Sequence, residues 1–158
     1  DAGAGLLRAA GFERYEVSNY AKPGRRCCHN LLYWQSGDFL AAGLGASFAL
    51  WKSGEVTRGE NTAKPNEYTR QIKAGVRPLA DVIVEKGKDA MFTFAMMGFR
   101  LAEGFSAKEF ERRFGMRFES AFPRTAKNPL VEVSGSIRLT SRGYEIMNSV
   151  LADMMDET

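Results

Sequence analysis

His29 is the single histidine of the chain, and it stands beside Asn30 in a stretch that also carries Arg25, Arg26, Cys27 and Cys28, with Tyr33 and Trp34 four and five positions on. A neutral imidazole is a good axial ligand for haem iron, and aromatic rings nearby can cover a porphyrin face. Arg25 and Arg26 offer guanidinium forks that match carboxylates such as porphyrin propionates. Gly43 and Gly45 follow, where the missing side chain lets a ligand approach the main chain. Each feature also has a plainer reading: a hydrogen-bonded loop histidine, aromatic core, solvated arginines, and a tight turn between strands.

Cys27 and Cys28 are the only cysteines. Being adjacent, they would form a strained disulfide that closes no useful loop, so reduced thiols are expected. Two thiolates fall short of the three or four an iron–sulfur cluster needs. Cys28 is either a second soft ligand for iron, an oxidisable thiol, or a passive neighbour of His29.

The elements that must position these residues follow from pattern. The text begins at Asp1 inside a helix carrying Leu6, Leu7 and Ala10, with Gly11 as its stop. Arg14 to Tyr20 alternates as a strand, so helix, glycine, strand is the rhythm of an α/β repeat, and Ala21 to Asn30 is the loop at that strand's carboxyl end. Ser36-Gly37-Asp38 is a turn, and Ser53-Gly54 joins Ala46–Trp51 to Glu55–Arg58 as a β-hairpin. Pro65 opens a helix that Gly75 closes.

A boundary falls between Gly75 and Lys88. Beyond it Met91, Phe94, Ala95, Gly98, Leu101 and Ala102 form one helical face ending at Gly104. Ser106 with Glu109 is a capping box, opening a helix that ends near Gly115. A third helical turn from Arg117 is cut short by Pro123. Leu130–Val133 and Ser136–Leu139 form a second hairpin, and Thr140 caps a last helix with Tyr144, Met147, Leu151 and Met154 on one side. Three helices, a hairpin and a helix make a winged-helix-like module.

Composition sets the class. With 158 residues, 44% hydrophobic and 26% charged, the chain is globular and neither disordered nor fibrous. A net charge of +3 suits an anionic ligand but is far from a nucleic-acid stripe. Apolar runs such as Met96–Phe99 stop well below the roughly 18 residues of a membrane span, and no signal-peptide pattern opens the text. A cytoplasmic protein is expected.

The stretch His29-Asn30-Leu31-Leu32-Tyr33-Trp34 resembles the HNxxYW motif of the HemW/HemN family of radical SAM proteins. Tyr15 to Gly24 is similar to the family's YEISNFAxPG segment, and Gly37–Leu40 with Gly43–Ser47 to GDYLGLGPGAHS. Met96–Gly104 and Arg138-Leu139-Thr140 with Gly143 and Asn148 resemble the HemN carboxy-terminal domain. The resemblance spans nearly the whole chain except about 61–89.

It implies an α+β architecture: residues 1–80 as the carboxy-terminal remnant of a partial (β/α) barrel with an added hairpin, and 81–158 as the winged-helix-like HemN domain. It implies haem bound through His29, with Asn30, Tyr33 and Trp34 shaping the site, and a function in binding and delivering haem to a client protein. It also implies that the [4Fe–4S] cluster and most of the S-adenosylmethionine site lie in an earlier half not written here, leaving this stretch without radical chemistry of its own. Two departures stand out: Cys28 replaces an arginine common before the HN pair, and Phe48 replaces a histidine common after Ser47.

Two other functions compete. One is oxygen-independent oxidation of coproporphyrinogen III by the whole protein. The other is DNA docking through Ser106–Lys127, where six Lys/Arg oppose three Glu; there Gly115 and Pro123 interrupt any continuous reading helix, and no nucleic-acid partner is expected.

Overall fold

A computed structural model describes residues 2–40 and 42–158. Asp1, the expected helix start, and Ala41 lie outside the described residues. The first element, α1 (Ala2–Ala9), ends before Gly11 but buries none of its side chains; Leu6 is 74% exposed.

The expected strand from Arg14 to Tyr20 is instead a small antiparallel pair, β1 (Glu13–Arg14) and β2 (Tyr20–Ala21). The chain reverses because Glu16 turns inward, fully buried, and its carboxylate accepts from the Ser18 N–H at 3.2 Å. Glu16 is also bridged to Leu101. The loop expected to run to Asn30 is shorter than that, since α2 (Cys28–Trp34) begins at the residue before the histidine.

The hairpin forms as its turn residues dictate. β3 (Ser47–Lys52) and β4 (Glu55–Asn61) pair in register from Ser47↔Glu60 to Lys52↔Glu55. Ser53 and Gly54 both take positive φ, 50° and 77°, the geometry that matches a two-residue connection to strand twist. α3 (Pro65–Lys73) follows, with proline in its first turn.

One strand lies outside the expectation. β5 (Leu79–Glu85) pairs with β4 from Val56↔Glu85 to Asn61↔Leu79, giving a sheet of order β3-β4-β5. Residue 80, the expected division between units, lies inside this strand. β5 is an edge strand whose Val82, Ile83 and Val84 stay about half exposed.

The carboxy-terminal module holds the main core. α4 (Gly87–Gly98) buries Ala90, Met91, Phe94, Ala95 and Gly98, the spacing of one helix face. β6 (Phe105–Ser106), α5 (Ala107–Phe114), α6 (Phe118–Ala121), α7 (Pro123–Ala126), β7 (Val131–Val133) and β8 (Ser136–Leu139) follow, with sheet order β6-β8-β7. The expected last helix is broken at Ile146 into α8 (Ser141–Glu145) and α9 (Met147–Met155).

Ser106 caps α5 through Glu109 N–H, and Thr140 caps α8 through Gly143 N–H. Phe94, Phe99, Phe105, Phe110, Phe118 and Phe122 are all buried, with rings meeting edge-on or tilted. Each such side chain contributes about 2 kcal/mol by leaving water. Trp51 of β3 reaches into the same core, edge-on to Phe94 and Phe114, and so joins the first sheet to the module.

Candidate functional site

α2 is short and poorly capped, since Cys27 at its N-cap makes no side-chain capping bond. Helical spacing nevertheless sorts its side chains into two pairs one turn apart. His29 and Tyr33 form the first. The Tyr33 hydroxyl lies 3.0 Å from His29 Nε2, and the rings meet edge-on with centroids 4.7 Å apart. Tyr33 in turn abuts Phe39 at 4.5 Å. His29 is exposed to solvent, and its imidazole makes no hydrogen bond to the main chain among the described residues. Its position can admit an iron-bearing plane from outside.

Asn30 and Trp34 form the second pair, turned toward the rest of the chain. Asn30 Nδ2 donates to the Tyr15 hydroxyl at 3.4 Å. The Arg100 guanidinium sits 5.2 Å from the centre of the Trp34 ring, and Trp34 Nε1 is buried without a hydrogen-bond partner. Trp34 also walls a cleft of about 530 Å³ with Phe94, Leu101, Phe105, Glu103 and Ser136. The four motif residues therefore share a helix, but His29 and Trp34 work on different sides of it.

The two arginines part company as well. Arg26 Nη1 donates to Glu103 at 2.7 Å in an exposed pair, and its guanidinium lies over the Tyr15 ring. Arg25 is exposed and forms no ion pair among the described residues. Cys27 and Cys28 are exposed free thiols, and no cluster of metal-binding side chains converges among the described residues.

Gly43 and Gly45 both take positive φ, and their loop is fastened to the end of β4. Asn61 Nδ2 donates to Gly43 O at 2.8 Å, and Gly45 N–H donates to Thr62 O at 3.2 Å. Both glycines are thus tied to the end of β4.

Residues 86–146 match the family model described as the HemN C-terminal domain. Over 96% of the chain, 37% of residues are identical to the protein named "Heme chaperone HemW" of Haemophilus influenzae. Along nearly its whole length the chain is similar to HemW proteins, as a carboxy-terminal part of one would be. The Escherichia coli protein of the same name is 33% identical over 92% of the chain, and that of Mycobacterium tuberculosis 32% over 94%. The chain spans about 40% of the length of these relatives. Among solved structures, coproporphyrinogen III oxidase (HemN) from Escherichia coli, titled a radical SAM enzyme, superposes with a TM-score of 0.70 over 97% of this chain and 39% of its own. At 15% identity that likeness shows the fold alone. The α+β class and the HemN-type module are thereby shown.

Arg100, Glu103 and Asn61 touch the motif or its loop yet carry no local signal in the sequence. Only the folded chain brings them there. No helix among the described residues is long and apolar enough to cross a membrane.

Proposed function

We propose that this chain is the haem-binding part of a HemW-like protein that carries haem to a client, with His29 as the axial ligand. The observation that carries the reading is an exposed imidazole in the family's motif, held by one side-chain contact to Tyr33 and otherwise open. The donor set fits: an unburied imidazole can meet iron without breaking the core, and Tyr33 and Phe39 extend an aromatic surface beside it. Haem would supply the iron that His29 ligates, while the chain's own residues orient the imidazole and shield it from one side. Arg25, which forms no ion pair among the described residues, offers its guanidinium to a propionate, and Arg26 would do so only by sharing or leaving its exposed contact with Glu103.

The test is a ferric-haem titration of the chain and of His29→Ala. A Soret band that forms with the parent sequence and fails with the variant is expected. An identical spectrum for both would remove His29 from the site. Cluster and S-adenosylmethionine chemistry, and any oxidase activity, would rest on residues beyond this stretch.

A further inference from the structure

Four consecutive residues after α4 each grip a different piece of the segment that carries the motif. Arg100 stacks on Trp34. Leu101 is bridged to Glu16. Ala102 N–H donates to Tyr15 O at 3.1 Å, and Glu103 accepts from Arg26 at 2.7 Å. Tyr15 passes the restraint on through its hydroxyl to Asn30, on α2. The strap is itself fixed, because Arg100 O accepts from the Tyr144 hydroxyl at 2.5 Å and Gly104 is wedged against Ile137 O.

Arg100 is the unusual member of this strap. Other partly buried arginines face carboxylates, as Arg58 does with Glu85 and Arg113 with Glu109. Arg100 has no ion pair among the described residues, and its Nε is buried without a partner. Its charge is placed instead over an indole face, an arrangement that gains strength as water is excluded. Arg14 and Glu16 act together with it on the Tyr144 phenol.

We propose that Arg100 is a positioning residue for α2: through Trp34 it fixes the helix so that the His29–Tyr33 side faces outward. α2 needs such help, having seven residues and no side-chain cap. The haem arm of the test rests on the function proposed above; the exchange arm does not.

Amide hydrogen exchange of residues 31–35 is measured in the unliganded chain for the parent sequence, Arg100→Met and Arg100→Lys. Methionine keeps the length and loses the charge, and exchange across α2 is expected to quicken about tenfold while α4 and α9 keep their rates. Lysine keeps a cation near the ring but loses the guanidinium, so its exchange across α2 is expected between the two, about threefold above the parent. Unchanged exchange in α2 would overturn the proposal, and so would equal acceleration in α2, α4 and α9.

If Arg100→Met does not fold, Arg100→Lys decides alone. Loss of the guanidinium over the indole is then expected to raise α2 exchange about threefold, and parent-like rates refute it. In the haem arm, Arg100→Met weakens binding severalfold with the Soret position unchanged, whereas His29→Ala loses the band. A parent chain with no haem band would end the haem reading and leave the exchange result to judge the strap.

Discussion

If His29 takes haem iron through Nε2 as proposed, Tyr33 would compete with it for that nitrogen. The hydroxyl sits at hydrogen-bond distance from Nε2, so ligation there must first give up that contact. Tyr33→Phe keeps the ring against Phe39 and removes the competitor. It should tighten haem binding by about three- to tenfold, the worth of one hydrogen bond, as read from a Soret titration. Weaker binding would show that the phenol helps hold the ligand instead. Tyr144 offers a second residue-level test. Burial pushes its phenol up to about 12, against the opposing influence of Arg14. A raised value means that its contribution is complete below the unfolded pKa of about 10 and is lost as pH rises through about 12. The stability gap between the parent chain and Tyr144→Phe should therefore hold to about pH 10 and then close, as followed by urea unfolding. At this scale the motif was readable because its identities are local. The division of its residues was not, since nothing in the string HNLLYW says which side of α2 meets Arg100.

Caps and turns show which elements are written locally. Ser106, Thr140 and the Ser53-Gly54 turn act within three residues of themselves and each forms, but the capping box expected at Ser106 is only half made, since the Glu109 carboxylate turns to Arg112 and Arg113. α2 escaped notice because it is too short for a hydrophobic period and opens with cysteine instead of a capping residue. β5 escaped because an apolar run without alternation carries no period at all, and its pairing with β4 is a distant event. Two predictions belong here. Gly104 has φ of +70°, and a Cβ built there would lie 2.0 Å from Ile137 O. Gly104→Ala should cost at least about 2 kcal/mol in a denaturant melt, because neither the turn nor β8 can yield cheaply. Glu157 closes the other end of the module by accepting from the Arg124 and Thr125 N–H groups and the Thr125 hydroxyl. Burial pushes its carboxyl up, but these donors outweigh it and hold it below the ordinary value. Glu157→Gln should cost about 1 kcal/mol at neutral pH. The difference should fade in melts run below about pH 4, because a lowered pKa gives stability only where the carboxylate stays ionised.

Across the molecule, Trp51 is a residue shared by both apolar clusters, and it is expected to couple the unfolding of the two sheets. It belongs to the first sheet by sequence and to the phenylalanine core by contact, with Arg113 stacked on its free face at 4.9 Å. Trp51→Ala should lose about 3 kcal/mol and lower the far-ultraviolet and Trp34-fluorescence transitions together. Separate transitions in the parent chain would mean that the sheets melt independently. The module's fold was legible because its helices bury long periodic faces, whereas the amino-terminal part relies on contacts 70 or more positions apart, such as Arg26 with Glu103. The outer strand of the first sheet has a practical consequence. Its rim runs past Val82, Ile83 and Val84, where Asp81 is the charge at hand to repel a newcomer, since the Glu85 carboxylate is taken by Arg58 and Thr93. Concentrated samples should accordingly scatter light in a salt-promoted manner, and a lysine in place of Val84 should keep them clear.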